Sequence, residues 1–491
     1  MTQPVLSLWI NGKALASAGT RTADVFNPAT GQVIRRTPLA SKQDVNLAVA
    51  AARAAFPGWR DTTPLRRARI LMRFRELMQQ HRDELVHLTC EEHGKTREDA
   101  AGSLQRGIEV IEFAMGVPHL LKGEKAEDVG RGVDCHSLLQ PVGVCAGITP
   151  FNFPVMVPLW MFPVSIACGN TFILKPSEKV PSASLRMAEL FHEAGLPPGV
   201  VNLVNGRGSV TGVSLVSHPG IDMVGFTGGT HTGAAIMAAA GKHLKPCILE
   251  LGGKSANIIH PSADLDRALD GALGGIYSNN GQQCLAGSRI LVQRAIAEEF
   301  IARFVERARR IRIGDPMDPA TEVGPLAFKE HMQRVLSYVD VAHADGAALL
   351  TGGRRAPGFE RGYYIEPTAV LATGNHNRVC QEEIFGPFAT FLVYDTLDEA
   401  IAIANDSPFG LVAYVWANDL DVVMRASRGL RAGTVWINTT MVRELRAPFG
   451  GYKQSGVGRD GASSSVEFFT EQKTTTIPID PAPLPRFGSM A

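Results

Sequence analysis

Apolar positions change their spacing along the chain, and these changes indicate how it is organised. Between residues 43 and 115, apolar side chains recur at helical spacing among charged ones. This pattern predicts two or three amphipathic helices, most clearly over 44–55 and 66–88. From residue 142 onward, short apolar runs alternate with helical stretches. Such alternation predicts an α/β fold with a parallel, doubly wound sheet.

The alternating pattern falls into two regions, which predicts two α/β lobes. In the first region the predicted strands are 142–148, 171–174, 200–203 and 223–226. One predicted helix begins near residue 154, and two others cover 182–194 and 232–240. The second region extends from about residue 247 to 438, with strands predicted at 288–292, 370–371, 389–394 and 412–416 and a long helix at 296–310.

Two segments do not fit the alternation of strands and helices, and we interpret them as arms. Residues 122–140 interrupt the helical pattern between two ordered regions, which is typical of a hairpin. Residues 467–478 form an extended β pattern near the end of the chain, before a proline-rich stretch over 481–486.

Composition narrows the function classes. The 491 residues carry a net charge of +1, which removes the electrostatic argument for a nucleic-acid-binding protein. The start of the chain lacks a secretory signal, and the most apolar run, 153–168, is too short and too rich in proline to span a membrane. Seven cysteines without a CxxC pair argue against zinc and disulfides, and favour a reduced cytoplasmic setting.

Two glycine-rich segments fall short of known phosphate-binding motifs. The segment Gly252-Gly253-Lys254-Ser255 imitates the end of a Walker A loop, but Ile248 stands where that loop needs a glycine. The turn over 226–233 follows a predicted strand and precedes a helix, yet it lacks the GxGxxG spacing. A tight strand–helix turn explains that segment as well as a dinucleotide site does.

Cys284 is the best candidate for a nucleophile. It follows the polar stretch Asn279-Asn280-Gly281-Gln282-Gln283, whereas other cysteines lie in apolar runs, where cysteine is usually a small buried hydrophobe. A lone cysteine is structural more often than catalytic, so further elements matter. Polar side chains interrupt apolar segments at Asn152, Glu250 and Glu383.

These segments, in this order, resemble the NAD(P)-dependent aldehyde dehydrogenases over essentially the whole chain. The resemblance begins at Trp9-Ile10-Asn11-Gly12. It implies a Rossmann-type dinucleotide-binding domain, an α/β catalytic domain and a β oligomerisation arm, and therefore a homodimer or homotetramer. The implied boundaries are 1–121 with 141–249 for the NAD-binding domain, 250–466 for the catalytic domain, and 122–140 with 467–491 for the arms.

The resemblance also implies a reaction path. The thiolate of Cys284 attacks the aldehyde carbon to form a thiohemiacetal. Its oxyanion is held by the Asn152 amide and the backbone N–H of Cys284. Glu250 then activates the water that hydrolyses the resulting thioester. Lys175 and Glu471 match partners for proton transfer to that base. No metal is implied.

For the cofactor, the resemblance matches Lys175 and Glu178 to the adenosine ribose, and Glu383 and Phe385 to the nicotinamide ribose and ring. A carboxylate such as Glu178 accepts the ribose hydroxyls but repels a 2′-phosphate, which favours NAD over NADP. The other positions matched to cofactor contacts, including two glycines that let the backbone approach the pyrophosphate, are Ile148, Thr149, Pro150, Phe151, Ser177, Phe226, Thr227, Gly228, Gly229, Leu251 and Gly252.

Two subfamilies compete for the substrate. Residues 147–154 resemble the methylmalonate-semialdehyde dehydrogenases, which transfer the acyl group to coenzyme A. Those enzymes lack a glutamate at the position of Glu250, and they carry an arginine where this chain has Gln283. Both departures favour hydrolysis to a free acid. Residues 442–451 resemble instead the muconic semialdehyde dehydrogenases, and 481–488 resemble the tail of 5-carboxymethyl-2-hydroxymuconate-semialdehyde dehydrogenases.

In the muconic group, arginines matching Arg106 and Arg446 bind substrate carboxylates, as a guanidinium does through two charge-assisted bonds. Phe153 and Gln283 are also expected at the substrate site, whereas Arg443 is expected to be structural. The resulting hypothesis is NAD-dependent oxidation of a carboxylate-bearing semialdehyde from aromatic catabolism, with 5-carboxymethyl-2-hydroxymuconate semialdehyde preferred. The alternatives are a malonate or methylmalonate semialdehyde, with or without coenzyme A, a non-redox cysteine esterase or acyltransferase, and a catalytically silent homologue.

Overall fold

The computed structural model describes residues 3–480, 484 and 486–488. The amino-terminal part contains β1 (Leu8–Ile10), β2 (Lys13–Leu15), β3 (Thr22–Asn27), β4 (Gln32–Pro38), α1 (Lys42–Arg60), α2 (Pro64–Gln80), α3 (Arg82–His93) and α4 (Arg97–Met115). The next part contains β5 (Lys125–Gly130), β6 (Val133–Pro141), β7 (Val144–Ile148), α5 (Met156–Cys168), β8 (Thr171–Lys175), α6 (Ser182–Glu193), β9 (Val201–Leu203), α7 (Val213–Ser217), β10 (Met223–Thr227), α8 (Thr230–Gly241) and β11 (Cys247–Glu250).

The remaining elements belong mainly to the second lobe. They are β12 (Ala256–Ile259), α9 (Leu265–Tyr277), β13 (Arg289–Gln293), α10 (Arg294–Arg309), α11 (Lys329–Ala344), β14 (Ala348–Thr351), β15 (Thr368–Leu371), α12 (Arg378–Gln381), β16 (Phe388–Tyr394), α13 (Leu397–Asn405), β17 (Val412–Trp416), α14 (Leu420–Gly429), β18 (Thr434–Ile437), β19 (Gly456–Val457), α15 (Ala462–Phe468) and β20 (Thr470–Pro478).

The amphipathic region near the amino terminus forms four helices, one more than the largest number predicted. Local signals divide them. Ser41 and Asp44 form a capping box at the start of α1, and Thr63 caps α2 just before Pro64. Gly94, with a φ of +84°, ends α3 in the left-handed conformation that glycine adopts without strain.

The first lobe is built on an eight-stranded sheet in the order β19-β11-β10-β7-β8-β9-β1-β2. Strands β11, β10, β7, β8 and β9 are parallel, as the alternating pattern predicts. Strand β7 lies between β8 and β10, so the chain order reverses on either side of β7. In such sheets, ligands bind at the carboxyl ends of the strands beside this reversal.

The second lobe is built on a seven-stranded sheet in the order β14-β15-β16-β13-β12-β17-β18. Its strands are parallel except for β14, which pairs antiparallel with β15. The strand predicted at 412–416 has these bounds in the structure. The α/β fold class is confirmed.

A third, three-stranded sheet in the order β20-β6-β5 joins the two segments predicted as arms. Every residue of β20 pairs with β6, from Thr470 opposite Pro141 to Pro478 opposite Val133. Of the proline-rich stretch predicted at 481–486, only residues 484 and 486 lie within the described part of the chain.

Helix α5 shows why the longest apolar run belongs to a globular core. All 13 of its residues are buried, and it packs mainly against α4. Within the described ranges, no helix has the length and apolarity needed to cross a membrane.

Candidate functional site

The carboxyl ends of four neighbouring strands form one edge of the first sheet. They end at Lys175 in β8, Ile148 in β7, Thr227 in β10 and Glu250 in β11. Register places Ile148 beside Lys175 and Thr227 beside Glu250. The candidate residues of the first lobe therefore converge on the edge where α/β sheets bind ligands.

A cavity of about 380 Å³ opens above this edge and reaches the second lobe. The residues that line it are Pro150, Phe151, Asn152, Gly228, Gly229, Gly252, Cys284, Phe328, Glu330, His331, Arg334, Glu383 and Phe385. Seven of the thirteen are positions predicted for cofactor binding, and two, Asn152 and Cys284, are predicted catalytic residues.

The loop over 278–288, here called the nucleophile loop, has an unusual backbone. Asn279 and Asn280 adopt left-handed φ angles of 55° and 56°, and Gly281 follows at 68°. Asparagine and glycine tolerate this region best. A side chain on Gly281 would overlap the backbone of Gly386, so the loop can pack closely on the second lobe.

Buried amide side chains fix the nucleophile loop. The Asn280 amide donates to the carbonyls of Gly94 at 3.0 Å and Pro325 at 2.8 Å. The Gln282 side-chain oxygen accepts a bond from the backbone N–H of Ala327 at 3.1 Å. The polar stretch that marked this loop in the sequence therefore serves to immobilise it.

Cys284 lies partly exposed in the cavity. Burial raises the pKa of its thiol to about 12, with further increases from the Glu383 and Glu250 carboxylates, while its own backbone N–H and Arg443 lower it. The resting group is a thiol, and its proton must leave when the sulfur attacks.

Asn152 follows β7 and points its side chain toward the nucleophile loop. It is 4% exposed, and its amide nitrogen donates to the carbonyl of Gln282 at 3.1 Å. The same side chain lines the cavity beside Cys284. An amide in this place can donate to an oxyanion that forms on a carbon bound to the sulfur.

Glu250 ends β11 with its side chain buried. One carboxyl oxygen has no hydrogen-bond partner in the described residues. A methyl group on Gly450 would come within 2.9 Å of that oxygen, so this glycine makes room for it. Burial, followed by the negative charge of Asp460, raises the pKa of Glu250 well above its usual range, while Arg443 and Arg459 lower it.

The crevice beside β7 and β10 has the features of a dinucleotide site. The hydroxyl groups of Thr149 and Thr227 are buried there without a partner in the described part of the chain. Gly229 caps helix α8, and a side chain on Gly228 would overlap Phe226. Bare backbone at a helix N-terminus is suited to a pyrophosphate.

Polar groups mark the two ends of this crevice. At the β8 end, the Lys175 ammonium donates to the carbonyl of Pro176 at 2.9 Å and lies 3.4 Å from the Glu178 carboxylate, which is about a quarter exposed. At the other end, Glu383 accepts a bond from the backbone N–H of Gly253 at 3.0 Å. Burial raises the pKa of Glu383 to about 7.

The geometry of a nucleophilic cysteine, an amide donor, a buried carboxyl and a dinucleotide crevice agrees with sequence comparison. The profile of the aldehyde dehydrogenase family matches residues 15–475. The chain belongs to the aldehyde dehydrogenase family. This aldehyde dehydrogenase is 40% identical over 479 residues to malonate-semialdehyde dehydrogenase 3 of Geobacillus kaustophilus, with 96% of this chain and 98% of the relative covered.

Two further relatives extend the comparison. A malonate-semialdehyde dehydrogenase of Pseudomonas aeruginosa is 40% identical over 478 residues, covering 95% of each chain. The structure of an NAD⁺ complex of an aldehyde dehydrogenase from Bacillus cereus superposes with a TM-score of 0.94 at 38% identity, covering 97% of each chain. The predicted resemblance to the aldehyde dehydrogenases, the predicted enzyme class and the predicted NAD cofactor are confirmed.

The remaining predicted cofactor positions lie along the same crevice. Phe151 packs edge-on against Phe385, with ring centroids 5.9 Å apart. The backbone N–H of Lys179 donates to the Ser177 hydroxyl. Ile148, Phe226 and Leu251 are buried in the core beneath it, and a side chain on Gly252 would overlap Glu383.

Glu471 is not near Glu250, and its assignment to proton transfer is corrected. It lies exposed on β20, paired with Gln140 in the arm sheet. The strand β6 reaches the first sheet at the amino end of β7, whereas Glu250 lies at the carboxyl edge. The carboxylate whose charge acts on Glu250 is that of Asp460.

The proton-transfer role of Lys175 is corrected in the same way. Strands β7 and β10 separate β8 from β11, and three interstrand spacings amount to about 14 Å. Lys175 therefore lies at the β8 end of the crevice, away from Glu250.

Arg443, expected to be structural, is an arginine whose charge acts on both Cys284 and Glu250. Its guanidinium lies 4.0 Å from the Trp160 ring centroid and 4.8 Å from that of Phe449. One nitrogen bonds Asp460 at 2.7 Å, while Nε and Nη1 are buried without a partner in the described residues. Its charge lowers the pKa of both Cys284 and Glu250.

Arg446 is expected at the substrate site, but in the structure it is exposed to solvent. Its side chain is 84% exposed, and its guanidinium bonds the Glu444 carboxylate in the same loop. Arg106, on α4, is half-buried. Its charge acts on Tyr414, whose hydroxyl donates to the carbonyl of Leu285 beside the nucleophile.

The other two expected substrate contacts do not line this cavity. The Phe153 ring is 6% exposed and lies 4.2 Å from the Lys95 ammonium. The Gln283 amide donates to the carbonyl of Gly275 at 3.4 Å, so it faces α9 rather than the cleft.

The position of Asp460 gives a prediction on pH dependence. In Asp460→Asn, the loss of the carboxylate and the release of its Arg443 partner both favour ionised Glu250, so the pKa of Glu250 falls. We expect the acidic limb of the kcat profile to move to lower pH. The control Asp398→Asn, which removes a surface ion pair with Arg425, should leave the profile unmoved. An unchanged profile in Asp460→Asn would contradict this electrostatic coupling.

Proposed function

We propose that the enzyme oxidises a short semialdehyde bearing a carboxylate, with malonate semialdehyde as the preferred substrate, to the free dicarboxylic acid. The observation that carries the proposal is the guanidinium of Arg443, whose Nε and Nη1 are buried without a hydrogen-bond partner in the described structure. A buried donor without a partner costs free energy, and a substrate carboxylate relieves that cost.

The position of Arg443 favours a short substrate. The guanidinium is close enough for its charge to act on both the Cys284 thiol and the Glu250 carboxyl. In malonate semialdehyde the carboxylate is two bonds from the aldehyde carbon, so one molecule can present its carbonyl to Cys284 and its carboxylate to Arg443.

The relatives support the same choice. The sequence relatives described above are malonate-semialdehyde dehydrogenases, which favours the malonate alternative over the muconic semialdehyde preferred from the carboxyl-terminal motifs. The exposed position of Arg446 weakens the muconic hypothesis further, because that arginine was one of its two carboxylate ligands. Membership of a dehydrogenase family favours redox chemistry over the non-redox esterase alternative.

In the proposed reaction, the Cys284 thiol releases its proton to solvent, and its sulfur attacks the aldehyde carbon and forms a thiohemiacetal. The oxyanion receives hydrogen bonds from the Asn152 amide and from the backbone N–H of Cys284. NAD, when bound, supplies the hydride acceptor. The crevice residues fit that cofactor, with Glu178 at the adenosine-ribose end favouring NAD over NADP, and Glu383 and Phe385 at the nicotinamide end.

Glu250 determines the fate of the thioester that remains on Cys284. Its carboxylate form takes a proton from water, and the resulting hydroxide adds to the thioester carbonyl. The C–S bond then breaks, the acid leaves, and the Cys284 sulfur takes the proton back from Glu250. A buried carboxyl with a raised pKa is a stronger base than an exposed one. This residue favours hydrolysis over transfer to coenzyme A.

The three-stranded arm supports the proposal of a homodimer or homotetramer, since its two edge strands can pair with another copy.

The Arg443→Gln variant tests the substrate class. Loss of a charge-assisted carboxylate bond costs about 1.5–3 kcal/mol, so kcat/KM for malonate semialdehyde should fall roughly 10- to 100-fold. The effect on propanal, which lacks the carboxylate, should be at least tenfold smaller. The ratio of the two substrates cancels changes in the pKa of Cys284 and Glu250 that both reactions share.

Arg446→Gln is the matched control, because it removes an exposed guanidinium from the same loop. We expect the substrate ratio of Arg446→Gln to remain at the wild-type value. Equal losses for both aldehydes in Arg443→Gln would contradict carboxylate recognition by this residue.

A further inference from the structure

Asn152 lies in a stretch of the chain that has no regular secondary structure. Residues 149–155 connect β7 to α5 without belonging to either. The first carbonyl of this stretch to accept a helical bond from α5 is that of Phe153, which receives the N–H of Val157. The carbonyl of Asn152, one residue earlier, needs another donor because it is buried.

Lys95 is that donor. Its ammonium lies 2.7 Å from the carbonyl oxygen of Asn152 and 4.2 Å from the centroid of the Phe153 ring. The side chain is fully buried. Burial lowers the pKa of Lys95 to about 7. An amine retains N–H donors in either charge state, so the bond can form on both sides of that pH.

The turn that carries Lys95 also contacts the nucleophile loop. The carbonyl of Gly94 accepts a bond from Asn280 at 3.0 Å, and the carboxylate of Asp99 accepts one from the backbone N–H of Asn279 at 3.0 Å. Residues 94–99 therefore contact both sides of the oxyanion site: the Asn152 backbone and the loop that carries Cys284.

We propose that Lys95 is a positioning residue for aldehyde oxidation, which fixes the Asn152 peptide so that its side-chain amide meets the oxyanion formed at Cys284. The proposal rests on the proposed role of Asn152, through which Lys95 acts.

A double-mutant cycle tests this dependence. The readout is the rate of the first turnover of NADH formation at saturating NAD, which precedes deacylation. Removal of an oxyanion donor in Asn152→Ala should slow this step about 10²- to 10³-fold. We expect Lys95→Met to slow it about 10- to 100-fold in the wild-type background and less than about threefold in the Asn152→Ala background, because residues that act as a unit are not additive.

Lys245→Met is the matched control. Its ammonium also donates to backbone carbonyls, those of Val216 and His218, but it does not line the cavity. We expect its first-turnover rate and its NAD affinity to match the wild type. NAD affinity should also be unchanged in Lys95→Met.

Three results would overturn the proposal. These are an unchanged first-turnover rate in Lys95→Met, an equal slowing in both backgrounds, and a failure of both Lys95→Met and Lys95→Gln to fold while Lys245→Met folds. Lys95→Gln keeps an N–H donor, and we expect it to be faster than Lys95→Met. A wild-type rate in Asn152→Ala would instead refute the oxyanion role on which the proposal rests. This result therefore distinguishes a failure of the proposed role of Asn152 from a failure of the proposal for Lys95.

Discussion

Replacement of Cys284 by alanine should abolish NADH formation from every aldehyde, because the described residues that line the cavity beside Asn152 include no second cysteine and no serine, threonine or lysine. Covalent catalysis cannot begin without the sulfur, and we expect a loss of at least about 10⁴-fold in kcat. NAD binding should stay close to the wild-type value, since the crevice residues are untouched. Stopped-flow absorbance for NADH and calorimetric titration with NAD measure the two quantities.

The matched control is Cys135→Ala, which removes another partly exposed thiol, on β6 of the arm sheet. We expect full activity in this variant. Retention of turnover in Cys284→Ala, or loss of turnover in Cys135→Ala, would contradict the assignment of the nucleophile.

Glu250→Gln should separate the two halves of the reaction. Glutamine cannot take a proton from water, so the thioester on Cys284 should accumulate. We expect a burst of NADH close to one per active site, followed by a steady rate about 10²- to 10⁴-fold below the wild type. Mass spectrometry of the stalled enzyme should show the acyl adduct on Cys284.

The pH dependence of the wild-type enzyme follows from the same group. The pKa of Glu250 is raised, so its base form is lost as the pH falls through a value well above that of an exposed carboxyl. The steady rate should rise with pH across that range, while the burst rate should not follow this titration. The control Glu471→Gln, which alters an exposed carboxylate on the arm, should leave both phases unchanged. A wild-type steady rate in Glu250→Gln would mean that another base acts.

Much of the fold could be predicted because the relevant signals are local. The strand at 412–416 and the apolar run that forms α5 are continuous in sequence. Strands β1 to β4 carry weaker signals, because they are short and largely half-exposed, and β1 joins the sheet through Trp9 opposite Leu203, far away along the chain. Long-range pairing of this kind leaves no periodicity to detect.

Some residues of the candidate site could likewise be predicted from the sequence, whereas others could not. Asn152 and Glu250 stand out in sequence because each interrupts an apolar segment, and Cys284 stands out because it follows a polar stretch. The choice between Arg443 and Arg446 could not be made that way, since they lie three residues apart in an irregular loop. Trp160, on α5, distinguishes them by stacking on one guanidinium.

Asp460 was missed for a comparable reason. Its charge acts on Glu250, and the backbone bridge that pairs it with Phe449 forms only in the folded chain. Lys95 gave no signal either, because a lysine after a glycine at the end of a helix usually reads as a solvated C-terminal turn.

The most direct test of the account is the product formed from malonate semialdehyde and NAD, measured by quantitative mass spectrometry with and without coenzyme A. The account predicts free malonate in a 1:1 ratio to NADH, at a rate that coenzyme A does not change. A coenzyme A thioester as the product, or NADH formation that depends on coenzyme A, would contradict the central claim that Glu250 directs water to the thioester on Cys284.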